Sequence, residues 1–329
     1  MGEFILKRLL LSLLILFFVM FIVYALMYSL PTSYIETTAR ELASKPGSLK
    51  SATEWIRDLN IQYGFDKGLV GGYFQWISTA VRGDFGDSWN WTAPVTEQFN
   101  KTIWQSFSLS TSAFILELLI AIPAGVIAAR KQYSMVDYSI TVIALIGISL
   151  PTFFTATILK LIFAVNLNWF NIGGMQSRDF VMLSDWGKFI DQCKHYVLPV
   201  LTLTIVNIGS LMRYTRTNML EVLSSDYIRT ARAKGLPERR VINHHAFRNT
   251  LIPLVTILGT SLPNLFAGAL ITETLFSFRG IGYTSYYSMI SGDIPFTMFF
   301  LMFGSIVTLL GNLIADVLYA VVDPRIRVH

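Results

Sequence analysis

Apolar residues along this chain come in runs of bilayer length rather than in the short rhythm of a surface helix. The first run, Leu9 to Leu30, is uncharged and follows Lys7 and Arg8. It is longer than a signal-peptide core and lacks an A-x-A cleavage signal, so it reads as a retained span. A window of about 20 residues finds five more. They cover 103–129 with Glu117, 138–165 with Lys160, 196–212, 250–272, and 297–321 with Asp316. The fourth is short and carries Pro199, Thr202, Thr204, Asn207 and Ser210, a composition suited to protein or water rather than lipid. Two readings of its polar groups are open: hydrogen bonds between helices, or contact with a passenger. Thr202, Thr204, Asn207 and, in the fifth span, Asn264 are the candidates for the second reading.

Composition agrees with the pattern. Of 329 residues, 53% are hydrophobic and 14% charged, against about 25% charged in a soluble domain. The expected fold is therefore an all-α polytopic membrane protein with six transmembrane helices. Loops then alternate between the two sides, and counting Lys and Arg tests orientation. The N-terminus, the 130–137 turn, the 213–249 loop and the tail hold 14; the 31–102, 166–195 and 273–296 segments hold 11. The 31–102 segment is too long to weigh in this rule, and without it the comparison is 14 to 4. Both termini and the 213–249 loop are thus expected in the cytoplasm.

Four parts follow: residues 1–30 with the first span; an extracytoplasmic 31–102 segment, whose mixed aromatic and charged pattern predicts short amphipathic helices on the outer membrane surface; a five-helix core, 103–321; and a tail, 322–329. The net charge of +5 is accounted for by loop orientation, so no nucleic-acid partner is expected. The single Cys193 permits no intramolecular disulfide, and the absence of a Cys or His cluster leaves no recognisable metal site.

One cytoplasmic passage is unusually polar. Residues 225–249 hold eight charged side chains and adjacent histidines. Ser224 or Ser225 can cap a helix whose first turn holds Asp226, and Gly235 can end it in a left-handed conformation. Pro237 suits the first position of a second short helix, with Glu238 in its opening turn and Arg248 toward its end. On the first helix Tyr227, Ala231 and Lys234 share a face, with Ile228 adjoining. Three roles fit: fixing topology, binding anionic headgroups, or docking a cytoplasmic protein. A capped, glycine-ended helix is more order than charge anchoring requires, which favours docking.

The stretch DYIRTARAKGLPERRVINHHAFRNTLIPLVT resembles the ATPase-coupling loop of inner-membrane permeases of ATP-binding-cassette importers, specifically the oligopeptide and dipeptide branch. Of the superfamily's Glu-Ala-Ala-x-x-x-Gly, only Ala231 and Gly235 match, since Arg229 and Thr230 occupy the first two places. The branch's own D-Y-x-R-T-A-R-A-K-G and R-H-A-x-R-N fit far better. GDFGDSW at 83–89, IPAGVIAA at 122–129, GISLPTFF at 147–154, ITETLFSFRGIGY at 271–283 and LIADVLYAVVDPRIR at 313–327 extend the likeness. Arg279 stands where the family has proline, and Pro31-Thr32-Ser33 where Gly-Asp-Pro often follows the first span.

The resemblance implies a type I importer-permease fold in a bacterial inner membrane, carrying short peptides, with nickel or a metallophore as the alternative cargo. It implies a homologous second permease, two cytoplasmic ATPase subunits that hold ATP and Mg, and an extracytoplasmic substrate-binding protein. This chain would be no enzyme and hold no cofactor; no G-x-x-x-x-G-K-[ST] occurs in it. Coupling would fall to Asp226, Tyr227, Arg229, Thr230, Ala231, Arg232, Ala233, Lys234 and Gly235, with His245 and Arg248. Glu117, Lys160 and Asp316 are ionisable residues inside spans and functional candidates by position. Asp316, close to the cytoplasmic end, suits a structural hydrogen bond, and Lys160 can snorkel outward. For Glu117, pairing with Lys160, contact with a partner subunit and proton relay are open. A proton-coupled transporter built on these three charges is the competing class, against which six spans show no inverted repeat of broken helices. An intramembrane hydrolase lacks a nucleophile and base signature.

Overall fold

The computed structural model describes residues 2–29, 33–44, 50–91 and 93–322. Pro31, Thr32, residues 45–49 and the tail from 323, with its two arginines, lie outside the described residues. Among the described residues all regular structure is helical apart from an isolated bridge between Asp87 and Pro94. The chain divides into two compact units: Met1–Thr102 with Thr284–Leu310, and Ile103–Tyr283 with Gly311–His329.

The first unit contains α1 (Gly2–Tyr28), α2 (Ser33–Ser44), α3 (Ala52–Tyr63) and α4 (Gly68–Ala80). Ser51 and Glu54 form a reciprocal capping box on α3, and Gly64 closes it at φ 72°, which satisfies donors and acceptors that a helix end leaves open. The expected short amphipathic helices are present, but their apolar sides face protein. Ile35 and Ala39 of α2 pack on Leu59 and Tyr63 of α3. On α1, Met20 and Tyr24 pack on Tyr73 and Trp76 of α4, and the Tyr24 hydroxyl donates to the Tyr63 carbonyl at 2.9 Å. The GDFGDSW loop is held by buried Asp293, which accepts from the Ser88 hydroxyl and the Asn90 and Phe296 amides.

The second unit draws on α5 (Val95–Arg130), α6 (Met135–Ser149), α7 (Thr152–Leu159), α8 (Asp185–Leu223), α9 (Asp226–Ala233), α10 (Glu238–Arg240), α11 (Phe247–Ala267) and α12 (Leu270–Leu275). Two further helices, α13 (Ile281–Ile290) and α14 (Ile294–Val322), complete the chain. Among the described residues α1, α5, α8 and α14 are long and apolar enough to cross a bilayer, and the bent pair Met135–Ser149 and Thr152–Asn166 counts as a fifth when the two are taken as one span.

Three span expectations are corrected. The expected 138–165 run is two helices rather than one, with a 104° bend at Leu150 and Pro151, because proline lacks an amide donor and pushes the residue before it to extended geometry. The fourth is not a short span but one helix of 39 residues, about 58 Å long. Hydropathy marks only its apolar middle, since about 30 Å of hydrocarbon is all a bilayer offers. The expected 250–272 run stops at Ala267, where Gly268 takes φ 79°, and α12 follows as a separate short helix. Helices α6 and α8 meet closely at two glycines: a Cβ on Gly209 would lie 2.1 Å from the Ala144 carbonyl, and one on Gly147 2.7 Å from that of Ile205.

Candidate functional site

The basic passage forms a knob with an apolar underside. Ile228 and Ala231 of α9 are buried against Met219 of α8, Ala129 of α5, and Val241, Ile242 and Ala246. Burying Ile228 alone is worth about 1.5–3 kcal/mol. The expected face therefore divides: Ala231 points in with Ile228, while Tyr227 is 48% exposed. Ser225 occupies the cap position, but its hydroxyl donates back to the Val222 carbonyl rather than capping α9. Gly235 is left-handed, as expected, at φ 75°. Its amide donates to the Arg232 carbonyl and that of Leu236 to Ala231, the paired bonds of a Schellman ending. Across the elbow Arg232 clasps Glu238 with two bonds of 2.8 and 3.1 Å, and that guanidinium holds the Glu238 carboxyl below the usual glutamate range.

The second short helix does not end near Arg248. Residues Val241–Ala246 form a π-helical turn that runs directly into α11, so the elbow is continuous with a helix of the membrane core. The Thr250 hydroxyl reinforces the join by donating to the Ala246 carbonyl, 3.0 Å away. Asp226, Arg229, Thr230, Arg232, Ala233, Lys234 and Arg248 remain exposed, and His245 is half-buried beside His244. Nearby, buried Asp137 and half-buried Arg216 form a bidentate pair at 2.6 and 2.8 Å that joins α6 to α8. No sequence signal marks them as partners.

A cleft of about 780 Å³ in the second unit gathers several of the other candidates. Glu117 of α5, Asn207 of α8 and Asn264 of α11 all line it, together with Ser110, Ser210, Arg213, Tyr214 and Ser261. Thr202 and Thr204 do not join them. Both are buried, and their hydroxyls donate to the Leu198 and Val200 carbonyls of their own helix at 2.8 Å. Lys160 does not pair with Glu117; its ammonium donates to the Leu275 carbonyl at 2.5 Å and sits over the Phe276 ring. A cation at the end of a short helix satisfies carbonyls left open there. Asp316 lies half-buried on α14.

Two polar networks escaped the sequence reading. Glu273 is fully buried; its carboxylate accepts from the Ser106 hydroxyl at 2.6 Å and from the Ala269 and Tyr283 amides at 2.9 and 2.8 Å. Ser106 in turn accepts from the Ile281 amide. A Cβ on Gly280 would stand 2.2 Å from the Ser106 oxygen, which explains the glycine, whereas Arg279 before it is exposed. The glutamate and glycine spacing of ITETLFSFRGIGY was the available signal. In the 166–195 loop, His195 is held by the Asp191 carbonyl and Asn171, and Asp191 by Ser177.

Residues 121–328 match the family described as binding-protein-dependent transport system inner membrane component. The chain is 39% identical to the oligopeptide transport system permease protein AppB of Bacillus subtilis, over 81% of this chain and 83% of that one. It is 34% identical to the dipeptide transport system permease protein DppB of Escherichia coli K12, over 99% of both. The di/tripeptide transport system permease protein DppB of Pseudomonas aeruginosa matches at 34% over 80% of this chain and 82% of its own. With several helices able to cross a bilayer and these relatives at such coverage, the chain belongs to the binding-protein-dependent inner-membrane transport permeases.

Proposed function

We propose that this permease carries short peptides inward, forming one half of a path whose other half comes from a homologous second permease. Two cytoplasmic ATPase subunits holding ATP and Mg drive it, and an extracytoplasmic binding protein delivers the cargo. The chain has six spans, α11 being the sixth, with both termini and the 213–249 loop cytoplasmic and residues 31–102 and 166–195 outside. The ATPase docks on the α9 elbow, from Asp226 to Gly235, with His245 and Arg248 at its edge.

The observation that carries this reading is the continuity of the elbow with α11. Motion imposed on α9 and its glycine turn passes through the π turn into a helix that lines the Glu117, Asn207 and Asn264 cleft. The reading is tested by reconstituting the complete importer in vesicles and measuring ATP-dependent uptake of labelled dialanine and trialanine. Uptake of neither, with ATP hydrolysis intact, removes the peptide cargo. Topology is tested separately: the exposed Cys193 should react with a membrane-impermeant maleimide from outside intact cells, and in a Cys193→Ser background a cysteine at 230 should not.

A further inference from the structure

We infer that Glu117 and Arg213 hold the two charged ends of one passenger, Glu117 its ammonium group and Arg213 its carboxylate; this rests on the peptide reading above. Both line the cleft. Among the described residues neither side chain has an ion-pair or hydrogen-bond partner, Glu117 being half-buried on α5 and Arg213 exposed on α8, whereas Lys160 donates to a carbonyl. A half-buried carboxylate left without a partner inside a span is costly, and two opposite charges in one cleft that do not meet each other invite a molecule that meets both.

Their spacing sets the size of that molecule. Helices α5 and α8 run side by side in the same direction. Thr204 lies level with Ala113, whose carbonyl is 3.3 Å from its hydroxyl, and Gly125 abuts Met212 and Thr215. Glu117 is therefore level with about position 208, and Arg213 lies about five residues further along, a step of about 7–8 Å. Two residues of extended chain span about 7 Å, so a dipeptide fits with little reach from either side chain and a tripeptide with modest adjustment of the long arginine. Ser110, Asn207, Ser261 and Asn264 also line the cleft and offer neutral polar groups to a peptide unit, which leaves water only if its polar groups find partners. Among this chain's cleft residues no further charge remains for the passenger's side chains, so this half of the path selects for the free ends rather than for a particular sequence.

The test uses the complete importer in vesicles, with labelled dialanine and saturating binding protein. Glu117→Gln and Arg213→Gln should each lower uptake about tenfold or more, the range for a lost hydrogen bond to a charged group. Copurification of all subunits and basal ATP hydrolysis should stay as in the wild type. Glu117→Asp, which keeps the charge, should recover part of the loss. Wild-type uptake by either glutamine variant overturns the inference. So does loss of the second permease from the Glu117→Gln complex, which would make Glu117 a subunit contact, and so does an aspartate variant no better than glutamine. A wild-type complex that hydrolyses ATP but takes up neither dialanine nor trialanine instead overturns the cargo reading itself.

Discussion

Two short helices in the second unit, α9 and α12, each end in a tight turn and each carry charge, yet they handle it in opposite ways. On α9 the charges point outward: Asp226 and Arg229 are 95% and 72% exposed, and their loose contact at 3.3 Å contributes little in water. On α12 Glu273 is fully buried, and both carboxylate oxygens are occupied by Ser106 and two backbone amides. Asp226 and Arg229 of α9 stay accessible to a partner, and the α12 carboxylate is used up in holding its own loop. Counting charges therefore identifies neither role; the number of donors already aimed at each oxygen does.

That contrast breaks most severely at Glu273. Glu273→Ala strands buried donors on Ser106, Ala269 and Tyr283, a cost of about 3 kcal/mol or more. The expected outcome is a large fall in the melting temperature or yield of the purified complex. Gly280→Ala should do comparable damage by forcing a methyl group onto the Ser106 oxygen. A normal melt for both variants would mean that the buried carboxylate is not a structural anchor.

The elbow should respond in coupling rather than in assembly. A side chain at Gly235 has open space around it, so Gly235→Val acts only through φ and costs about 1–2 kcal/mol. The variant should insert and assemble, while transport-stimulated ATP hydrolysis falls. Gly235→Asn, which tolerates the left-handed region better, should fall less. Equal behaviour of the two variants would remove the turn's conformation from the coupling step.

Smaller effects are expected from the Arg232–Glu238 clasp. Both partners are about half exposed, so Glu238→Gln should cost less than about 1 kcal/mol at pH 7. The folded Glu238 carboxyl is held below its ordinary value of about 4.3, so its contribution is present above that pH and is lost as pH falls through the lowered folded value. Melts of wild type and Glu238→Gln should thus differ slightly at neutral pH and converge in acid. A gap that widens toward low pH would contradict the ion pair.

What the sequence by itself determined was whatever is written locally. Uncharged runs such as Leu9 to Leu30 located membrane-length helices, because transfer into hydrocarbon depends on composition over about 20 residues. Gly235 announced a left-handed turn, because that conformation disfavours every residue with a Cβ. The DYIRTARAKG stretch carried the family for the same reason: all its residues are contiguous. Tertiary structure decided everything that depends on distant partners. Glu273 finds Ser106 across 167 positions, Arg216 finds Asp137 across 79, and Lys160 finds Leu275 across 115. Three polar residues close together on α8, Thr202, Thr204 and Asn207, are equivalent to a hydropathy window. All three donate to carbonyls of their own helix; only packing buried the two threonines and left Asn207 on the cleft, because a helix distributes neighbouring residues around its axis and its surroundings choose which side stays open.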